Sequence, residues 1–159
     1  MPDGLYERDA LAWAEQQSYL LSRLAAGEWL NADVDWEHVI EEVRDVGLSE
    51  LHKCESLLTQ AMIHLLKLHA WPASPAVLHW RGETVNFLGD AQLNFSPSMR
   101  QRIDMAKLYG KALRVFRAMD DATERELPEM CPFTVDELLA DDAAVADMAS
   151  RLSAPHTSA

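Results

Sequence analysis

Cysteine is scarce in this chain. Its 159 residues include two, Cys54 and Cys131, in no zinc or redox spacing, so a disulfide framework is excluded and a reducing, cytoplasmic setting is expected. Six glycines and seven prolines are also few. The glycines stand singly, which leaves no phosphate-cradling loop or nucleotide fingerprint. Ser-based nucleophile motifs are missing too. No apolar run approaches the roughly 20 residues that span a bilayer. The opening Met1-Pro2-Asp3-Gly4-Leu5-Tyr6-Glu7 has neither a basic start nor an apolar stretch, and no signal peptide is expected. Alternation of period two never persists long enough for a strand.

Positive charge is in deficit. Lys and Arg number 14 against 26 acids, a net charge of −12. That balance disfavours nucleic acid, whose non-specific binding rests on phosphate neutralisation. The charge is also blocked along the chain. Residues 33–55 and 120–147 are strongly acidic, whereas residues 100–117 are basic. Such blocks pair with each other or form solvated faces.

What the chain does have is helical periodicity. A first helix is expected over about 9–26, with Trp13, Leu20, Leu21 and Leu24 on one face and Gly27 as its stop. Asp35 is the expected N-cap of a second helix, about 36–46. That helix gathers Trp36, Val39, Ile40, Val43 and Val46 on a side assigned to the core. Gly47 reads as a stop before Ser49 or as a kink. The segment from about Glu50 to His69 is the most regular amphipath, with Leu58 and Leu65 near the centre of its apolar arc. Ser74-Pro75 starts a helix to about Asn94, and Ser96-Pro97 opens a long one expected over about 98–126. Thr134 and Glu137 have capping-box spacing for a short helix. These features predict an all-α, up-and-down helical bundle of four to five main helices with short loops and a short C-terminal helix. Residues 1–141 are expected to form a single domain, and residues 142–159 a frayed or disordered tail.

Several segments resemble one bacterial family. Tyr6-Glu7-Arg8-Asp9 and Ala12-Trp13-Ala14-Glu15 are similar to its opening, and residues 40–50 to its acidic segment. His64-Leu65-Leu66-Lys67, Trp80, Pro97-Ser98-Met99-Arg100 and Pro132-Phe133-Thr134 follow in order. The family is that named domain of unknown function 29. The resemblance covers about residues 6–140, implies an all-helical fold, and implies no activity. Arg44 and His79 depart from its pattern.

Candidate chemistry is sparse. His38, Glu41, Glu42 and Asp45, at spacings of three and four, are the best metal-ligating set, and a divalent metal is the one cofactor that would suit them. With the Trp36–Val46 stripe inside, however, His38, Glu41 and Asp45 lie opposite the core, as a solvated acidic face would. His79 and Glu83, at i and i+4, are a second pair. Cys54 reads as a small buried hydrophobe, and Cys131 has no neighbour to lower its pKa. Arg100, Lys107, Lys111 and Arg114 form a basic stripe suited to a phosphate-bearing ligand, an acidic partner or the chain's own acids. No cofactor is predicted outright and the balance is against an enzyme. The leading reading is a protein-interaction or regulatory module, through a protein partner or self-association and with no membrane role. The alternatives are a metal-dependent enzyme on the His38, Glu41, Glu42, Asp45 surface, and an acidic inhibitor of a basic nucleic-acid-processing protein.

Overall fold

A computed structural model describes residues 4–119, 122 and 126–153. In chain order the helices are α1 (Leu5–Arg8), α2 (Ala10–Ala25), α3 (Trp36–Ala70), α4 (Val77–Asn94), α5 (Met105–Arg117), α6 (Val135–Leu138) and α7 (Val145–Ser150). Short 3₁₀ turns occupy Pro97–Met99 and Arg151–Ser153. Among the described residues there is no strand, and no helix is long and apolar enough to cross a membrane.

The chain divides into two compact units, residues 1–49 and 50–159. The physical reason lies in α3. Gly47 neither stops nor restarts it, and the helix runs unbroken for 35 residues. Between Leu51 and Ala70 it carries a dense apolar face, but before Ser49 only Val39 is buried.

In the first unit Asp9 caps α2 by accepting from the Ala12 amide at 3.0 Å, which satisfies one of the orphan donors of the first turn. After Ala26, Gly27 takes the left-handed conformation with φ of 94°. The buried apolar residues here are Trp13, Val34 and Val39, with Leu5, Tyr6, Leu20 and Leu21 partly buried against them. The expected stripe is turned the wrong way: Ile40, Val43 and Val46 face solvent. The buried arc of α3 runs from His38 through Glu42 to Val39, roughly a quarter turn from the apolar stripe. Polar side chains of this helix hydrogen-bond to α1 and the loop before α3, and those bonds set its rotation.

The second unit is built as an amphipathic bundle. Leu58, Met62, Leu65 and Leu66 of α3 are fully buried, with Tyr109 and Phe116 of α5 and Leu138 of α6 in the same cluster. Each such side chain contributes about 1.5–3 kcal/mol by leaving water. Trp71 sits 5.3 Å from the Phe116 ring and 6.1 Å from that of Trp80, and the Tyr109 hydroxyl donates to the Pro128 carbonyl at 2.8 Å.

The single long helix expected from residue 98 is instead a 3₁₀ turn followed by α5. Asp104 is extended and accepts from the Lys107 amide, so its side chain caps a new helix. The expected end of that helix, through residue 126, falls partly outside the described residues. Thr134 and Glu137 form the capping box that their spacing predicts. Residues 142–153 pack rather than fray, since Val145, Met148 and Leu152 are buried in the main cluster. Residues 154–159 lie outside the described residues.

Candidate functional site

In the first unit, the most connected polar group is built around His38. Its Nδ1 lies 2.7 Å from Asp35 Oδ2, and the Trp13 indole N–H donates to the same oxygen at 3.0 Å. The Asp35 amide in turn donates to Gln17 Oε1 at 2.8 Å. On its open side the imidazole stacks on the Tyr6 ring at 4.0 Å between centroids, and its Nε2 stands 3.9 Å from Glu7. The Tyr6 hydroxyl donates to Glu42 at 2.7 Å. Beside this group lies a cavity of about 360 Å³, lined by Tyr6, Trp13, Gln17, Asp35 and Trp36 among others.

The electrostatics follow from these contacts. The hydrogen bond to Asp35 holds the His38 pKa above its ordinary value, against an opposing push from burial. Burial pushes the Asp35 carboxyl up, but hydrogen bonds from His38 and Trp13 outweigh it and leave the group low. The bond to Glu42 pushes the Tyr6 hydroxyl up to about 12, so it stays a donor. An Asp–His pair can make an imidazole a base. Here no serine, threonine or cysteine is hydrogen-bonded to that imidazole among the described residues. The group fastens α1 and α2 to the start of α3.

Of the proposed metal set, His38 and Glu42 are therefore drawn toward Asp35 and Tyr6, while Glu41 and Asp45 are exposed. His79 is exposed on α4 and Glu83 partly buried there. Among the described residues no three or more His, Cys, Asp or Glu side chains are grouped so that they could hold a metal ion. Cys54 is buried, its thiol 3.7 Å from the Ala91 carbonyl and its pKa pushed up by burial. The basic stripe splits. Arg100 pairs with Asp136 at 2.9 Å, whereas Lys107, Lys111 and Arg114 face a groove beside α3.

Sequence reasoning missed Tyr6 and Trp13 as partners of His38. The signal was present in two aromatic residues that sat in the opening motif without a shared helical face. It also placed in the core the residues that form the most distinctive surface. Trp36, Ile40, Val43 and Val46 are 37%, 54%, 72% and 67% exposed. Trp36, Ile40, Val43 and Gly47 recur at spacings of four, three and four, the seam of a helix that meets another helix. Arg44 and Glu37 border the stripe on one flank, and Glu41 and Asp45 lie further round the helix.

The family model described as Domain of unknown function DUF29 matches residues 5–143. A crystal structure of an alpha-helical protein of unknown function from Rhodospirillum rubrum is similar, with 27% sequence identity and a TM-score of 0.71. The match covers 92% of this chain and 96% of that one. No curated protein matches.

Proposed function

The chain belongs to the DUF29 family, which supplies no activity of its own, and we propose that it is a protein-interaction module whose binding face is the N-terminal half of α3. One observation carries this reading. Three large apolar side chains, Trp36, Ile40 and Val43, stand exposed at seam spacing on a helix already anchored by its other face. Exposing such a strip to water is costly, and strips rimmed by polar groups mark interaction sites. Trp36 is the residue type that most often dominates binding energy at interfaces.

Charge selects the occupant. Glu37 borders the stripe beside Arg44, Glu41 and Asp45 lie further round the same helix, and residues 33–55 hold eight acids against two bases. A second copy of a chain with net charge −12 would bring like charges together. The fitting partner is a protein offering an amphipathic helix with a basic rim, which pairs electrostatically with these acids.

The test uses a synthetic helix of heptad-spaced leucines flanked by lysines, titrated into ¹⁵N-labelled protein. Amide shifts should concentrate between Trp36 and Gly47 and disappear in the Ile40→Asp, Val43→Asp double variant. A leucine/glutamate helix of the same pattern should not bind. Shifts elsewhere, equal binding by the double variant, or a wild-type dimer that becomes monomeric in that variant would each overturn the reading.

A further inference from the structure

Among the described residues, four of the chain's ten arginines pair with acids. Arg23, Arg100, Arg117 and Arg151 pair with Glu28, Asp136, Glu129 and Glu137. Lys107, Lys111 and Arg114 make no ion pair among the described residues, although acids outnumber bases 26 to 14. They stand at i, i+4 and i+7 on α5, along a groove of about 280 Å³. His52, Ser56 and Thr59 line it from α3 with the same spacing, Leu108 is the apolar residue among the lining, and Glu55 is its one carboxylate. The Thr59 hydroxyl is engaged with the Glu55 carbonyl at 2.8 Å. The Ser56 hydroxyl and His52 imidazole have no hydrogen-bond partner among the described residues. Three adjacent exposed cations beside unengaged donors form a local positive patch on an otherwise acidic chain, a setting that suits an anion from outside.

We infer that this groove binds a small, linear oligophosphate or a molecule carrying one. The three cations extend over about 10 Å of helix at 1.5 Å per residue. One phosphate cannot touch all three, but a chain of two or three can, with the Arg114 fork at one end. No aromatic ring lines the groove, so a nucleobase has nothing to stack on and recognition rests on the phosphates. Nucleic acid fits poorly because its charge would extend past the patch. Beyond roughly 8–10 Å of screening it would meet the acidic remainder of the chain. Glu55 opposes an anion and limits affinity.

Calorimetric titration of the full chain with inorganic triphosphate at low ionic strength tests the site. One triphosphate should bind, with affinity falling as salt rises. Lys111→Ala and Arg114→Ala should each weaken it by about tenfold or more, the equivalent of 1.4 kcal/mol or more. Arg81→Ala, an exposed cation on α4 outside the groove, should leave it unchanged. Glu55→Gln, which preserves shape, should tighten binding. Absence of binding, or affinity indifferent to Lys111 and Arg114, overturns the inference. So does loss of affinity in Glu55→Gln, or tighter groove binding by a single-stranded oligonucleotide.

Discussion

The two units of the chain solve the burial problem differently. Among the described residues, the second buries twenty-six apolar side chains in one cluster. It leaves five large ones, Leu78, Val85, Leu93, Val115 and Met130, in water. The first buries three, Trp13, Val34 and Val39, and exposes seven, among them Trp29, Trp36, Ile40 and Val43. One unit is held by apolar area, the other by a few directional bonds around Asp35, His38 and Tyr6. The lesson is that helical patterning alone does not say which stripe faces inward. A polar network with good geometry can claim the buried side of a helix and leave the apolar side to a partner.

Removing Trp13 is the severest test of that contrast. Trp13→Ala deletes the largest buried ring of the first unit and the donor to Asp35, at a cost of about 3–5 kcal/mol. Amide protection over residues 10–25 should collapse in hydrogen exchange while residues 54–68 keep theirs. Equal loss in both would mean that the two regions unfold as one. In the second unit, Leu58→Ala or Leu65→Ala should cost about 2–5 kcal/mol in urea melts, since both are fully buried. Losses below about 1 kcal/mol would place the core elsewhere.

How much could be read in advance differs between the units for the same reason. The arc of Leu51, Leu58, Leu65 and Leu66 is broad and one-sided, and its face is the buried one. The Thr134–Glu137 box was legible because capping is local, involving residues three apart. His38, Glu41, Glu42 and Asp45 were legible as a cluster but not as a geometry. The contacts that separate them, Glu42 with Tyr6 and His38 with Asp35, include one between residues 36 apart in sequence. The tail misled for a related reason. Val145, Met148 and Leu152 are spaced by three and four, yet sit in an Ala- and Ser-rich stretch whose composition suggests fraying. The break at Asp104 was hidden because the apolar periodicity continues across it.

Smaller changes sharpen the contrast from both sides. Thr134→Ala removes an oxygen that accepts from the Glu137 amide at 3.2 Å, and should destabilise the second unit by about 1 kcal/mol in urea melts. Gly47→Ala should have the opposite sign. Gly47 lies inside the continuous α3, where an added Cβ would meet nothing within 4 Å. Replacing a helix-interior glycine that is free of contacts gains about 0.5–1 kcal/mol. A measured loss would reveal a contact over this stretch of helix and weaken the reading of its face as open.

The smallest expected effect isolates the directional bonds themselves. His38 is raised above its ordinary 6.5 chiefly by the Asp35 hydrogen bond, with Glu7 and Glu37 adding to it and burial opposing. A raised histidine contributes stability that is complete below 6.5 and is lost as pH rises through its folded value. Asp35 is held below its ordinary 3.8: burial pushes upward, and the bonds from His38 and Trp13 more than offset it. A lowered carboxyl contributes above 3.8 and loses that contribution as pH falls through its folded value. The two windows overlap between 3.8 and 6.5, so the fastening of α1 and α2 to α3 should be firmest there. By NMR, His38 should titrate with a midpoint above 6.5. Protection of the α2 amides, corrected for intrinsic exchange, should decline from about pH 6 to about pH 8. His38→Gln should flatten that decline and leave residues 54–68 untouched. A midpoint below 6.5 would mean that burial outweighs the Asp35 bond. In that case the first unit rests on its three apolar residues after all, and the contrast between the two units becomes one of degree.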